Sequence, residues 1–504
     1  MKKLIAVAAS AMAFASMAAM EEIAKVRLTD ATGLVSAAMK IGEMSGNGMI
    51  GAAAAAQINE LEVFKFFGPA RSGSPIVLSV LADTDKVDES DFAEWISSFG
   101  ATILYPIDGK DQFLAKHVGY VETNGLVLVK DSSYSSCSMF NNTYLAFSKD
   151  GKWVAASDKP EQAKSALALA SDASKPMGSD VVKVSIGAKG MKSFVSFLEK
   201  AAEFADKKGE KPYTEADIAF LKGISSFSGA IRVSSSGIDF RAKVGAVKGS
   251  EFDKMGLTAL AKDPLAFAGA NAISASSVAA GASGQNNKEL IDAVFAAIAK
   301  RGIKLDFLGF KSVPGRVTFN MDVPALIKYA QGEGAEAFGK VDPEELVEEI
   351  RKIVSSSNKG ASPTSAPAFS GSFAIKGYKP KASPAEMFAK TLPEVGGKPV
   401  YVVHASSIYA FVKGVVPQVL AALPPEISGQ VKPLVASLPE EGERGIAQAY
   451  WRDGDAHVGV CRISADEIRG IGATVNAAMG IAMANAMQQG AGNVIEDDDS
   501  DDED

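Results

Sequence analysis

Short apolar runs along the chain give way to stretches whose apolar residues fall at i, i+3, i+4 and i+7, and the alternation recurs. Four runs of under ten residues follow a turn-like residue: SPIVLSVLA (74–82), SDVVKVSIG (179–187), DPLAFAGA (263–270) and KPVYVVHAS (398–406). Their length and their Val, Ile and Leu content predict strands. A quartet with helical spacing follows each: Phe92, Trp95, Ile96 and Phe99; Met191, Phe194, Val195 and Leu198; Ile291, Val294, Phe295 and Ile298; Ile408, Phe411, Val412 and Val415. This spacing sets four side chains on one helical face, which needs a core to cover it.

Further on, each unit offers two alternating runs around a turn: 144–157, 229–244, 307–321 and 446–463. Asp150-Gly151, Ser236-Gly237, Pro314-Gly315 and Asp453-Gly454 supply the turn residues, since Gly takes positive φ at little cost. Helix starts such as Asp158-Lys159-Pro160 and Asp322-Val323-Pro324 follow, with Asp to cap and Pro in the first turn. The pattern predicts an α+β fold of largely antiparallel sheets with amphipathic helices on one face. About four strand–helix–hairpin–helix units would make two related lobes, the second and fourth units aligning best.

The units then span 74–175, 176–260, 261–353 and 369–490. An Ala/Gly-rich helical segment (20–73) precedes them, a Ser/Pro linker (354–368) interrupts them, and an acidic tail (491–504) follows. Within the last unit FSGSFAIKGY (369–378) reads as a strand and SPAEMFAKTL as a short helix.

Residues 1–19 carry the three parts of a secretory signal: Lys2 and Lys3, an apolar run from Leu4 to Phe14, and a small-x-small site at Ser16 to Ala18. The expectation is export to a periplasm or the exterior, with no membrane span once the signal is cleaved. Charge sharpens the division. The net charge is −8, and the tail from Glu496 to Asp504 holds 8 acids, so the body is nearly neutral. No basic stripe is visible, which argues against nucleic acid as a partner. Cys137 and Cys461 are the only cysteines, and export would permit a disulfide or two buried thiols.

Candidate chemistry is sparse. GNGMIG (46–51) satisfies G-x-G-x-x-G, but the residues before it have helical spacing through Leu34, Met39 and Met44. A dinucleotide fingerprint needs a strand there, so the glycines read as a break between two helices, and no cofactor is expected. His117, His404 and His457 form no metal motif. His404 on a strand and His457 in a hairpin could meet across a sheet as an acid–base or ligand pair, and are the one speculative site. No G-x-S-x-G occurs. Met479, Met483 and Met487 form an i, i+4, i+8 stripe that reads as a pliable packing face. The tail lacks the glycine and ligand spacing of a calcium loop.

TYLAFSKDGKWVAASDKPEQAKSALALA (143–170) is a hairpin that closes on Ser157-Asp158, then an Ala-rich helix after Pro160. It resembles a group of uncharacterised bacterial exported proteins, classed as domains of unknown function, whose repeated hairpins close on a Ser-Asp-x-Pro phrase before a helix. The helices after the second and fourth hairpins, at GSEFDK and SADEIRG, lack the proline. The resemblance implies an exported repeat architecture and brings no active-site residue.

The expectation is therefore a non-catalytic exported module that binds or scaffolds another protein or an envelope component. A carrier of an apolar ligand or lipid is the second reading. A hydrolase using dispersed acids or the His404–His457 pair is the third.

Overall fold

The computed structural model describes residues 21–82, 99–117, 120–129, 143–175, 177–207, 215–282, 287–332, 334, 336–337, 341–357 and 368–492. The signal-like segment, the tail, Cys137, Phe92, Trp95 and Ile96 lie outside these residues.

The strands among the described residues join into one 17-stranded sheet. From one edge it runs β4 (Tyr120–Thr123), β5 (Leu126–Val129), β6 (Thr143–Phe147), β7 (Trp153–Ser157), β3 (Phe99–Pro106), β2 (Ile76–Ala82) and β1 (Glu21–Leu28). It continues through β8 (Asp180–Ile186), β9 (Ile224–Ser234) and β10 (Gly237–Ala246). Beyond β10 come β17 (Ala456–Ser464), β16 (Ile446–Asp453), β15 (Val400–Ser406) and β11 (Ala272–Val278). The far edge is β14 (Phe369–Ile375), β13 (Arg316–Met321) and β12 (Leu308–Val313). Among the described pairs only β13 with β14 is parallel. Each expected hairpin is present, and Gly151, Gly237, Gly315 and Gly454 all take positive φ at the turns.

The helices used below are α1 (Ala31–Met44), α2 (Gly48–Asn59), α3 (Glu62–Phe67), α4 (Pro160–Ala166), α5 (Ala188–Lys207) and α6 (Glu215–Lys222). They continue with α7 (Asn287–Lys300), α8 (Val323–Gln331), α9 (Pro343–Ser357), α10 (Pro384–Thr391), α11 (Ile408–Ala422), α12 (Pro425–Ala436) and α13 (Ala465–Gly492).

Helices cover both faces of the sheet, not one as the spacing predicts. Consecutive residues of β3 and β7 are buried on opposite sides. Ile103 and Val154 pack with Ala38, Ile58, Phe64 and Phe67 from α1 to α3. Leu104 and Ala155 pack with Ala166 of α4 and with Ala173. A strand buried on both sides has to be apolar at successive positions, so its alternation is lost. In the other half of the sheet α8 and α11 cover Ile273, Met321 and Ile375. The opposite side is roofed by Leu265, Met387 of α10, Leu392 and Val395 over Val403, Ala405, Ala447, Ala449 and Val460.

Five expectations need correction. The segment 20–73 is not helical throughout: it opens with β1, which pairs with both β2 and β8 in mid-sheet. DPLAFAGA holds a 3₁₀ turn at Ala266–Ala268, bracketed by positive φ at Asp263 and Gly269, and the strand is the following β11. Phe99 opens β3 and is not the end of a helical quartet. On α11 the expected face is only partly covered: Ile408 and Phe411 are 50% and 38% exposed and Val415 is half-buried against the cluster of Ile273 and Ile375, while Tyr409, Ala410, Gly414 and Leu420 are buried. A Cβ on Gly414 would stand 2.7 Å from Ile375, so close approach selects the small residues for the buried side. Residues 354–357 of the expected linker belong to α9, and 358–367 lie outside the described residues.

Among the described residues no helix is long and apolar enough to cross a membrane.

Candidate functional site

The histidine pair does not form. His404 on β15 pairs with Gln448 of β16, and His457 on β17 pairs with Arg452 of β16, four residues further along the intervening strand. Two strand spacings and four residues put the two positions roughly 16 Å apart. His457 is also fully engaged. The Tyr401 hydroxyl donates to Nδ1 at 3.0 Å, and Nε2 donates to the Phe252 carbonyl at 2.9 Å. A carbonyl can only accept, so Nε2 carries a proton, and in the neutral ring Nδ1 is left to accept from the Tyr401 hydroxyl. Burial pushes the His457 pKa down, and does the same to His404, whose Nε2 meets Ser406 Oγ at 3.0 Å. Cys461 on β17 is a free thiol whose pKa burial raises.

The glycine motif is a helical hairpin. Helix α1 precedes it and α2 follows, with Gly46 at φ 68° between them. A Cβ on Gly42 would lie 2.7 Å from Gly51 Cα, so these glycines let two helix backbones approach. With a helix in place of the strand, no phosphate cradle forms.

Among the described residues Glu467 is the most buried acid, at 1% exposure. Its carboxylate accepts from the backbone N–H groups of Ile408 (2.6 Å) and Tyr409 (3.0 Å) and from the Ser407 hydroxyl (2.8 Å). Its own N–H donates to Ser464 Oγ at 3.2 Å. One side chain thus caps α11 from the first turn of α13. Desolvation raises its pKa, but its oxygens are taken by the cap. The Ser464-x-x-Glu467 spacing is a capping-box signature whose acid is diverted to a neighbouring helix. The methionine stripe is not a packing face where described: Met479 and Met483 are 44% and 65% exposed.

A different site emerges from the ladder registers. Directly paired residues share a face, so one row can be followed across the sheet. It reads Ala155, Leu104, Val77, then Arg27, Lys183, Ala230, Arg241, then Val460, Ala449 and Val403. The flanks lie dry beneath α4 and α10, and the middle is open and cationic. The next row carries Lys25, Ser185, Ser228 and Lys243. Together the rows floor two adjoining depressions of about 450 and 520 Å³ that share Lys25, Ser185, Ser228 and Lys243. The floor is small (Ser226, Gly229, Ala230, Gly245), the rim is long and basic, and Phe227 is the one aromatic lining residue.

Ion pairs brace the rim. Lys25 meets Glu22 at 2.9 Å, Lys183 meets Asp180 at 3.1 Å, and Lys243 meets Asp453 at 3.0 Å. Arg232 shares Asp180, while Arg241 and Arg462 share Asp239 and Glu394. The Arg27 guanidinium donates to the Lys175 carbonyl, and its Nε is buried with no partner. Cations therefore outnumber carboxylates around the trough. The Lys243–Asp453 pair is exposed on both sides and holds its partners weakly, so that this lysine can be shared with an incoming anion.

Sequence reasoning missed this site because no basic run exists. The available signal was alternation: Lys25 and Arg27, Lys183 and Ser185, Arg241 and Lys243, each two residues apart. Fold and site together define a mixed α+β chain with one mostly antiparallel sheet and a cationic open face. Compared with protein-family models, curated proteins and solved structures, the chain matches none.

Proposed function

We propose that the chain is an exported, non-catalytic binding or scaffolding module whose trough, at the open middle of the sheet, receives an extended acidic segment of a protein or envelope partner. The observation that carries this reading is the register row in which Arg27, Lys183 and Arg241 interrupt an otherwise apolar face. A small-residue floor admits an extended backbone, and the Lys and Arg heads on the rim meet carboxylates. Nucleic acid is disfavoured by the near-absence of aromatic stacking platforms. The carrier reading gains no support from depressions lined by Lys, Arg and Ser. The hydrolase reading loses its His pair to distance, and its best-buried acid serves as a helix cap. The shared element order strand, two helices, hairpin in β8, α5, α6, β9, β10 and in β15, α11, α12, β16, β17 supports descent of these two units by duplication.

Fluorescence anisotropy of a labelled polyglutamate peptide against the full chain tests the binding reading. Binding at low salt that weakens at least about tenfold in a K25Q/R241Q/K243Q variant of unchanged circular dichroism is the expected result. Equal binding by the variant removes the trough from the account, and tighter binding of single-stranded DNA than of polyglutamate replaces the ligand class.

A further inference from the structure

We infer that the acidic segment received by the trough is the C-terminal segment Glu496–Asp504 of a second copy of this chain, an inference that rests on the reading of the trough as an acidic-segment site. The segment holds 8 acids in nine residues, Glu496 to Asp499 and Asp501 to Asp504, divided by Ser500. It accounts for a charge equal to the whole net charge of −8, so the chain carries its excess negative charge at one end and its assembled positive surface elsewhere. Lys25 on β1 and Lys243 on β10 lie three strand spacings apart, about 14 Å, which is the span of roughly four extended residues. Either acidic cluster can therefore bridge the trough from rim to rim.

The position of α13 selects a neighbour's trough over the chain's own. Helix α13 starts where Ser464 pairs with Gly237, and the trough lies toward the other end of that ladder, at Gly245 and Ala456. It packs against α1 and α11 on the face away from the trough, with Gly472 against Ser45 and Gly470 against the Tyr409 ring. Beyond Gly472 none of its described residues is buried. Its 28 residues carry the chain about 42 Å from that start. The twelve residues after it, reaching at most about 40 Å, would then have to round the sheet to reach their own trough. A neighbouring copy requires no such detour. Acidic tail into basic trough joins two different surfaces, so it is either exchanged reciprocally within a two-fold pair or propagated head to tail.

The test is zero-length carbodiimide coupling, which joins lysine to carboxylate in contact, on an equimolar mixture of unlabelled and ¹⁵N-labelled full chains. Mixed-isotope peptides linking Lys25, Lys183 or Lys243 to residues 496–504 are the expected product. They should disappear in the K25Q/R241Q/K243Q variant, for the arginine by loss of docking. Sedimentation should show self-association falling at least about tenfold from roughly 50 mM to 500 mM salt. Linkage only within one isotope overturns the second-copy assignment, and absence of any tail-to-trough linkage overturns the inference altogether. A chain with its eight tail acids changed to Asn or Gln separates the two levels. If that chain still binds polyglutamate while the unaltered chain shows no tail linkage, the inference alone fails. If it does not bind polyglutamate either, the reading of the trough fails with it.

Discussion

The same face of one sheet is treated in opposite ways in its two halves. Over β15, β16 and β17, Val403, Ala449 and Val460 lie at 0%, 0% and 4% exposure beneath Met387 and Leu392. Over β1, β8, β9 and β10 the same ladder row presents Arg27, Lys183 and Arg241 to solvent. Where a roof comes down, the row is Val and Ala, since a charge there would be desolvated without a partner. The segment before β15 lays α10 across its own half. The segment before β8 instead lays α4 over β3 and β7, leaving the central strands open. The placement of a roofing helix, not the strand pattern, decides which half becomes core and which becomes surface.

The sharpest way to break this comparison is to place one charge in each half. Ala449→Lys should cost about 4 kcal/mol or more, because the ammonium would be buried under α10 with no partner. Ala230→Lys, in the same row of the open half, should shift stability by less than about 1 kcal/mol. Urea midpoints of the two variants decide it, and equal losses would mean that the trough is not open. Next in size, Glu467→Ala should cost about 2–3 kcal/mol, since it leaves the Ile408 and Tyr409 N–H groups without their acceptor. Amide exchange at those residues should speed up in step.

Smaller still is a pH effect. The His457 and His404 pKa values are held below the ordinary value of 6.5, so the unfolded chain binds more protons than the folded one as pH falls through that value. Stability should therefore be full above about pH 6.5 and decline as acid is added, and His457→Gln should flatten that decline. A melting temperature that rises toward pH 5 would contradict the buried neutral ring. Smallest of all, Asp453→Asn, which removes the exposed partner of Lys243, should change stability by less than about 1 kcal/mol. It should tighten polyglutamate binding slightly by freeing the lysine.

Much of the architecture is legible without coordinates. The hairpins at Gly151, Gly237, Gly315 and Gly454 are announced by turn glycines between alternating runs, since only local backbone preference is involved. The capping box at Ser383 and Glu386, which opens α10, is of the same kind. The errors have a common cause. EEIAKVRL merges by local pattern with the helical segment that follows it, although its pairing partners are 52 and 158 residues away along Val26–Leu78 and Val26–Val184. Residues 263–270 read as a strand because a short apolar run has no period to distinguish strand from roof.

The site shows the division most plainly. Local sequence by itself determined where the hairpins turn and where helices are capped, because φ preference, hydrophobic period and capping act within a few residues. It also determined that the excess acidity sits at one end. Only the tertiary structure decided that His404 and His457 stand on separated strands, that Glu467 caps a helix some 60 residues distant, and that cations scattered from Lys25 to Lys243 share one trough. Those outcomes depend on strand order and on which segment roofs which strands. Both are set by the joint burial of surfaces far apart in sequence, which no local pattern encodes.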